Sequence, residues 1–370
     1  MRMMFAARAM NNMAGGVERM IIAIMNEMAR RGHEVALFSW DHAAAEAFYP
    51  IDPRVQWFKL DLGNPAQRAG LGLRLQRAPN VRRIVKAFAP DVIVGFQGGA
   101  FRPMAFYTLG HGIPVVAAER TAPSLYEHAG TERKRQIELF SFRFAKTITV
   151  QFDRYRLGYP AFLQDKIVET PNPVAVASRH ANPGAPGANG RYTLLSVGRL
   201  SYQKNYDVLL EAFARLADRF SLWDLRIVGE GEDRAKLEAM IAATPALKGR
   251  VALPGATQDV ATQYAAAQLF CLPSRWEGFP NALAEALAHG LPSVGFENCS
   301  GVPDLIAAGQ SGVLAPGMND ANALAEALAK LMDDPQGRTA QGQYAVESMQ
   351  RYSPDRCFDQ WESVLLKAGE

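Results

Sequence analysis

The sequence predicts an α/β protein made of two doubly wound domains, each built on a parallel sheet. The chain has 370 residues, of which 48 % are apolar and 21 % charged, and is long enough for two globular domains. Strand-like and helix-like segments alternate in both halves, as is typical of parallel sheets covered by helices. Residues 183–191, rich in Gly and Pro, separate the two series and are predicted to be a linker.

The first 40 residues predict a βαβ unit. A strand over Arg2–Arg8 is followed by a loop with two glycines, and then by apolar residues at helical spacing from Val17 to Met28. Gly32 is a predicted helix stop, and residues 33–40 form the second strand. Three further strands are predicted in this half, at Val92–Phe96, Val115–Ala118 and Thr147–Val150.

The second half repeats this alternation. Its predicted strands are Thr193–Val197, Leu225–Val228, Val251–Leu253, Leu269–Leu272 and Pro292–Phe296. We therefore expect domains at 1–182 and 192–352, joined by the linker 183–191. A final amphipathic helix within 353–370 is expected to cross back to the first domain. Ligands of such sheets bind beyond the carboxyl ends of the strands, so we expect a binding cleft between the two domains.

Composition narrows the classes of function. The formal net charge of +3 is too small for a typical nucleic-acid-binding protein, but it suits a protein that handles anionic ligands. No apolar run approaches the roughly 18–20 residues of a transmembrane helix. The three cysteines form no Cys-x-x-Cys pair, which indicates a reducing, cytoplasmic setting.

Two cations follow the first strand of the second half. Arg199 comes directly after Gly198, and Lys204 lies five residues further on. The guanidinium of Arg can donate two hydrogen bonds to one phosphate, and the ammonium of Lys adds a second positive charge, so the pair can bind a diphosphate. The N-terminus of the next helix favours the same anion. The alternative is that both are ordinary solvated charges.

Two carboxylates lie after the strand Leu269–Leu272. Glu277 is on the loop, and Glu285 is on the following helix with seven residues between them. Their positions suit carboxylates that accept hydrogen bonds from the hydroxyls of two sugars in one ligand. The alternative is that one glutamate caps the helix and the other lies on the surface. Gly229 and Pro254 follow neighbouring strands. The sequence is equally compatible with a loop that contacts a ligand and with an ordinary turn at these positions.

Two loops of the first half also follow predicted strands. Gly15-Gly16 comes after the first strand, without the full Gly-x-Gly-x-x-Gly pattern that a dinucleotide-binding domain requires. The pair suits either a tight turn or a substrate loop. Glu119-Arg120 follows Val115–Ala118 and suits either a ligand site or a surface ion pair.

Taken in order, these motifs resemble the family 4 glycosyltransferases of the GT-B fold, over nearly the whole chain. The resemblance implies two Rossmann-like domains facing each other across a cleft. The Glu-Gly-Phe-Pro-Asn form at Glu277 is similar to that of bacterial enzymes that build lipopolysaccharide cores, capsules and lipid-linked oligosaccharides. The matching motifs are Gly15-Gly16-Val17-Glu18-Arg19, Gly198-Arg199-Leu200 with Lys204, Gly229-Glu230-Gly231, Glu277 through Glu285, and Tyr352-Ser353 with the last helix.

The resemblance implies a retaining transferase that needs neither metal nor cofactor. Arg199 and Lys204 would stabilise the departing diphosphate. Glu277 would bind hydroxyls of the donor sugar, and Glu285 would bind the ribose. Further donor contacts are expected at Gly16, Gly198, Gly229, Pro254, Gly278, Phe279 and Asn281.

One position departs from the family pattern. Many members have a His after the strand that matches Val115–Ala118, whereas this sequence has Glu119-Arg120. Arg120 is expected to donate a hydrogen bond to the sugar, but it cannot act as a base. Glu119 is expected on the acceptor side, together with Gly15.

The expected partners are a UDP-sugar donor, carrying a hexose or N-acetylhexosamine, and a glycan or lipid-linked acceptor. The segment 66–88 holds six cations among aliphatic residues and is expected to contact an anionic membrane surface, although Pro79 and two glycines weaken it as a helix. Two other functions stay open. One is a nucleotide-sugar epimerase or hydrolase, and the other is a non-catalytic nucleotide-sugar-binding protein.

Overall fold

The computed structural model describes residues 1–67, 69–123 and 132–370, and the chain divides into two compact units. Unit 1 comprises Met1–Pro173 and Pro354–Glu370, and unit 2 comprises Val174–Ser353. Each unit contains one parallel sheet accompanied by helices. The α/β, doubly wound fold class predicted from the sequence is therefore confirmed.

The sheet of unit 1 has seven parallel strands. They are β1 (Arg2–Ala7), β2 (Glu34–Ser39), β3 (Gln56–Lys59), β4 (Val92–Phe96), β5 (Val115–Ala118), β6 (Thr147–Val150) and β7 (Ile167–Glu169). Their order is β3-β2-β1-β4-β5-β6-β7, so the winding reverses between β1 and β4. A crevice forms at such a reversal, beyond the carboxyl ends of the strands.

Six α-helices of unit 1 are described. They are α1 (Gly16–Arg30), α2 (Leu71–Phe88), α3 (Gln97–Tyr107), α4 (Glu132–Ser141), α5 (Ala161–Gln164) and α13 (Pro354–Gly369). Helix α1 presents an apolar face to the sheet, where Ile21, Ile24 and Met28 are almost fully buried. These are residues that the helical spacing in the sequence selected.

Helix α13, at the end of the chain, belongs to unit 1. Trp361 is fully buried, and its ring stacks on Phe96 with 6.1 Å between centroids. At the helix surface, Arg31 contacts Glu362 at 2.5 Å and Asp359 at 2.7 Å. The last segment of the sequence therefore completes the core of the first unit.

Helix α2 contains the basic segment predicted from the sequence, apart from Arg68, which lies outside the described residues. The helix continues through Pro79, which the sequence suggested would interrupt it. Pro79 and Leu75 are both exposed, so water can satisfy the Leu75 carbonyl that loses its donor. Within the described ranges, every helix is too short or too polar to span a bilayer.

The sheet of unit 2 has six parallel strands. They are β8 (Tyr192–Val197), β9 (Trp223–Val228), β10 (Val251–Gly255), β11 (Leu269–Leu272), β12 (Ser293–Phe296) and β13 (Gly312–Ala315). Their order is β10-β9-β8-β11-β12-β13, with the reversal between β8 and β11. The α-helices are α6 (Tyr206–Leu216), α7 (Arg234–Ala243), α8 (Val260–Ala266), α9 (Asn281–Ala288), α10 (Val302–Leu305), α11 (Ala321–Met332) and α12 (Pro335–Met349).

The chain passes between the units at 173/174 and 353/354, and residues 183–191, suggested as the linker, lie within unit 2. The Pro183 carbonyl accepts a hydrogen bond of 2.7 Å from Nε of Arg338, whose side chain is fully buried. Gly187 donates to the Arg191 carbonyl at 2.8 Å. A Gly- and Pro-rich composition marks this segment as a loop, but it does not tell whether the loop is anchored.

Candidate active site

The loops after β8 and β9 interlock through their backbones. Gly198 donates to the Val228 carbonyl at 3.0 Å, and Leu200 donates to the Glu230 carbonyl at 2.9 Å. A Cβ on Gly229 would lie 1.9 Å from the Gly198 oxygen, and one on Gly231 would lie 2.2 Å from the Leu200 oxygen. These glycines are thus required for loop packing, which fixes the backbone that carries Arg199.

Lys204 and Glu277 form an ion pair across two loops that are 73 residues apart in the sequence. Lys204 ends a short 3₁₀ turn, Tyr202–Lys204, and its Nζ lies 2.6 Å from Oε1 of Glu277. The two side chains are only 17 % and 8 % exposed, so water screens the pair little. The structure thus brings together two of the residues that the sequence singled out.

The loop that carries Glu277 is fastened to the 202–204 turn. Arg275 donates from its backbone to the Gln203 carbonyl at 2.8 Å and from its guanidinium to the Tyr202 carbonyl. Nε2 of Gln203 donates in turn to the Trp276 carbonyl at 2.8 Å. Because each loop holds the other, the Lys204–Glu277 pair is positioned before any ligand binds.

Asn205 joins a third loop to this arrangement. Its side chain is fully buried, and Nδ2 donates to the Pro273 carbonyl at 3.0 Å and to Oδ1 of Asn319 at 2.9 Å. The backbone of Asn205 is left-handed, with φ of 59°, which Asn tolerates better than most residues. Sequence reasoning missed Asn205, although an Asn directly before a predicted helix is a signal for a cap or a left-handed turn.

Arg199 stands on the interlocked loop after β8 and is exposed. Among the described residues it has no hydrogen-bond or ion-pair partner. Its loop and the Lys204 turn both follow the carboxyl end of β8, so the two cations share one edge of the sheet. Arg199 is therefore free to bind an anion there, whereas Lys204 already has a carboxylate beside it.

Glu285 is held by an aromatic side chain on α8. The hydroxyl of Tyr264, a residue only 1 % exposed, donates to Oε2 of Glu285 at 3.1 Å. The Tyr264 ring also packs against His289, with 5.0 Å between ring centroids. This contact orients the Glu285 carboxylate, and sequence reasoning did not predict it.

Four expected donor contacts lie near strand ends of unit 2. The ring of Phe279 is buried edge-on against Tyr352, and the Asn281 amide donates to the Phe279 carbonyl at 2.9 Å. Gly278, between Glu277 and Phe279, is half-buried. Pro254 lies within the edge strand β10 and not in a loop after it, because the strand extends to Gly255, whose carbonyl accepts from Gly229.

In unit 1, a cavity of about 780 Å³ lies beyond the carboxyl ends of β1, β2 and β4. Its polar lining includes Arg8, Asp41 and Gln97, and Val17 and Glu18 at the start of α1 also border it. Gly15 caps α1, and Gly16 is the exposed first residue of that helix. The cavity therefore adjoins the loop that the sequence placed on the acceptor side.

Arg120 has a different role from the one expected. Its guanidinium is buried, and it donates to the Thr170 carbonyl at 2.8 Å and to the hydroxyls of Thr149 at 2.7 Å and Thr170 at 2.8 Å. It also lies 5.2 Å from the centroid of the Trp361 ring. The expectation that Arg120 donates to a sugar is corrected, because these donors are committed to the interior of unit 1. Burial lowers the pKa of the guanidinium to about 9.

Glu119 is also buried, so the two residues do not form a surface ion pair. Oε1 accepts from the backbone amides of Arg120 at 3.0 Å and Thr121 at 3.2 Å. Burial, and next the charge of Glu138, raise the pKa of Glu119 to about 8. The carboxyl therefore holds its proton to a higher pH than a free glutamate does, and it stabilises its own loop through these bonds.

Comparison with known proteins identifies the class of this fold. Residues 15–172 match the family model of the glycosyl transferase 4-like domain, and residues 179–348 match that of the glycosyl transferases group 1. The chain belongs to the family 4 glycosyltransferases. Together the two matches cover most of both units.

Several relatives of this glycosyltransferase are bacterial. It is 26 % identical to an uncharacterized glycosyltransferase of Haemophilus influenzae, over 95 % of this chain and 96 % of the relative. It is 22 % identical, over 99 % of both chains, to a Campylobacter jejuni α-1,4-N-acetyl-D-galactosaminyltransferase whose acceptor is a diNAcBac-PP-undecaprenol glycan. It is also 22 % identical to AmsD, the amylovoran biosynthesis glycosyltransferase of Erwinia amylovora, over 95 % of this chain and 96 % of AmsD.

Solved structures share the GT-B fold. Anabaena Alr3699/HepE in complex with UDP superposes with a TM-score of 0.77 at 18 % identity, covering 99 % of this chain and all of that one. The apo form of WaaB, a lipopolysaccharide outer core galactosyltransferase, gives a TM-score of 0.75 at 17 % identity over 99 % of both chains. At these identities the likeness establishes the fold of this glycosyltransferase.

Proposed function

We propose that this glycosyltransferase moves a hexose or N-acetylhexosamine from a UDP-sugar to a glycan or lipid-linked acceptor, with retention of configuration. The product would belong to a bacterial surface polysaccharide or glycoconjugate. The observation that carries the proposal is the Lys204–Glu277 pair, held at 2.6 Å beside the exposed Arg199 at the carboxyl edge of the unit 2 sheet. The donor and acceptor classes are supported by HepE, crystallised with UDP-glucose, and by the lipid-linked substrate of the Campylobacter relative.

The leaving group of this reaction is a nucleoside diphosphate, and negative charge grows on it as the glycosidic bond breaks. Arg199 has no partner among the described residues and would bind that charge directly. Lys204 would supply a second cation, fixed in place by Glu277. Preorganised cations that need not reorient stabilise such a transition state effectively. They would do here what a divalent ion does in other transferases, so we propose that transfer is independent of metal.

The carboxylates would bind sugar hydroxyls. Glu277, whose Oε1 contacts Lys204, would accept a hydrogen bond from a donor-sugar hydroxyl. Glu285, whose Oε2 accepts from the Tyr264 hydroxyl, would bind the ribose. Hydrogen bonds from hydroxyls to carboxylates are stronger than those between neutral groups, so the two glutamates would fix the position of the donor in the site. Attack of the acceptor on the face that the diphosphate leaves would retain the anomeric configuration.

The first experiment is a thermal-shift panel with UDP, GDP, ADP and their common sugar conjugates, with and without EDTA. A ligand that binds the folded state raises the melting temperature by mass action. A shift with UDP and one UDP-sugar, unchanged by EDTA, supports the donor site and metal independence. No shift with any nucleotide contradicts the assignment of Arg199, Lys204, Glu277 and Glu285.

Turnover separates the transferase from the other reaction classes. The UDP-sugar that gives the shift is incubated with and without extracted lipid-linked acceptors, and the anomeric configuration of the product is read by NMR. A transferase consumes the donor only with acceptor present. An epimerase or hydrolase consumes it alone, and a non-catalytic binding protein consumes it in neither case. An inverted product refutes the retaining mechanism.

The acceptor proposal includes contact with an anionic membrane through residues 66–88. The exposed cations of α2 support it, and they include Arg74, Arg82, Arg83 and Lys86. Arg77 does not contribute, because its guanidinium is turned inward and donates to the Leu62 carbonyl.

A further inference from the structure

Unit 1 exposes a cluster of four phenylalanine rings, here called the aromatic patch: Phe106, Phe140, Phe144 and Phe162. Each ring is between 43 % and 56 % exposed. The rings of Phe106 and Phe144 lie 5.7 Å apart, and those of Phe140 and Phe144 lie 6.2 Å apart. Single exposed apolar residues are ordinary, but a contiguous group of large rings marks an interaction surface.

A cation is built into the patch. The Arg143 guanidinium lies 4.6 Å from the ring centroid of Phe162 and 5.4 Å from that of Phe140, and so it links the fourth ring to the other three. Lys166 donates from Nζ to the carbonyls of Arg143 and Ala145, at 2.9 Å each. Lys146 is exposed next to this segment. The patch therefore has positive groups both within it and at its edge.

The patch adjoins the basic face of α2. Nε of Arg82 donates to the Tyr107 carbonyl at 2.9 Å, directly beside Phe106. The Tyr107 hydroxyl donates to the Arg74 carbonyl at 3.3 Å. The two features thus form one surface, in which α2 carries charge and the patch carries apolar area.

The charge of this surface indicates its occupant. Four cations of α2 are exposed, namely Arg74, Arg82, Arg83 and Lys86, and residues 62–90 contain no Asp or Glu. The sequence of unit 1 has 25 Lys and Arg against 19 Asp and Glu. Acidic residues also adjoin the patch, among them Asp165 next to Lys166, and Glu370 in the groove that Lys146 and Lys166 line. Cations still predominate, so a second copy of the chain would place like charges opposite each other.

We propose that the aromatic patch and the exposed cations of α2 together dock unit 1 on an anionic phospholipid surface. The phenylalanine rings enter the boundary between headgroups and acyl chains, and Arg143 and the α2 cations bind lipid phosphates. This extends the membrane contact in the proposed function from one charged segment to a surface with an apolar component. It is tested without turnover.

The experiment is flotation of the full chain with phosphatidylcholine vesicles, with and without phosphatidylglycerol. The double variant Phe140→Ser/Phe144→Ser is expected to lose at least about tenfold in partitioning to anionic vesicles, because each ring gives up about half of its surface to the lipid. The matched control is Phe48→Ser, since Phe48 is also 56 % exposed and in unit 1 but outside the patch. The control should bind like the wild type, and equal melting temperatures would show that all variants fold.

A charge variant tests the other half of the surface. Arg83→Glu/Lys86→Glu is expected to weaken binding to anionic vesicles and to reduce its dependence on salt, with no change on neutral vesicles. Wild-type binding by the Phe140/Phe144 variant overturns the role of the patch. A wild-type dimer that this variant dissociates, without vesicle binding, assigns the surface to a second copy instead. If the wild type does not bind vesicles yet is stabilised by UDP, the inference and the membrane contact through 66–88 both fail, while the donor site and the transfer reaction stand.

Discussion

The Lys204–Glu277 pair allows stability and catalysis to be separated by a double-mutant cycle. Breaking a fully buried ion pair costs about 3–5 kcal/mol, because a charge is left without its partner. With side chains 17 % and 8 % exposed, water compensates part of that loss. We therefore expect Lys204→Met to lower the free energy of unfolding by about 2–3 kcal/mol. Replacing Glu277 by Gln in the same protein should recover more than half of this, since neither charge then remains.

Transfer should behave differently from stability. Removing one preorganised group that stabilises transition-state charge lowers kcat about 10²–10³-fold, or about 2.7–4 kcal/mol. Both Lys204→Met and the double variant should show this loss, because restored folding does not restore the cation. Urea denaturation gives the stability, and product formation from the UDP-sugar gives kcat. Lys330→Met, which changes an exposed lysine on α11, is the control. Recovery of transfer together with stability in the double variant would refute a catalytic role for Lys204.

Three further predictions concern the loops and a buried acid. Gly229→Ala should lower the free energy of unfolding by at least about 2 kcal/mol in urea, because its Cβ would lie 1.9 Å from the Gly198 oxygen. Tyr264→Phe should raise KM for the donor about fivefold, equivalent to about 1 kcal/mol, with kcat nearly unchanged, since Glu285 loses an orienting hydrogen bond. The folded protein keeps the Glu119 proton that the unfolded chain releases, so stability should fall as pH rises from about 4.5 to 8, and Glu119→Gln should flatten this decline.

Each of these has an outcome that contradicts it. Gly72 has no atom within 4 Å of an added Cβ, so Gly72→Ala is the control, and an equal loss in both variants would refute the packing argument. A fall in kcat alone for Tyr264→Phe would place the defect in the chemical step. A Glu119→Gln protein whose urea midpoint still declines with pH would assign the titration to another group.

Three candidate site residues could be selected from the sequence, and the structure places two of them, Lys204 and Glu277, in contact, while their catalytic roles stay predictions. Arg199, Lys204 and Glu277 follow strand ends, and polar residues at the carboxyl edge of a parallel sheet are informative without knowledge of the packing. The glycines of the β9 loop were identified, but their reason was not, since the neighbouring backbone that excludes a Cβ comes from another loop. Asn205 and Tyr264 were missed because their roles depend on contacts distant in sequence.

Other features could not be predicted for similar reasons. Arg120 was expected at a ligand because it follows a strand, but the direction of its side chain depends on Thr149, Thr170 and Trp361, which are brought together only by the fold. Strands β3 and β7 are four and three residues long and include polar or charged residues, so they lack a clear apolar pattern. Strand β13, Gly312–Ala315, is apolar but only four residues long.

The position of helix α13 has a consequence for biosynthesis. Trp361 fills the core of unit 1, yet the ribosome reaches it only after the 180 residues of unit 2. At roughly 5–20 residues per second, the nascent first unit waits on the order of 10–40 s with that part of its core open. Unit 2, being continuous in sequence, can finish folding earlier. Chaperones would therefore find their main target in the amino-terminal half, and a chain that stops short of Trp361 would remain exposed to proteolysis.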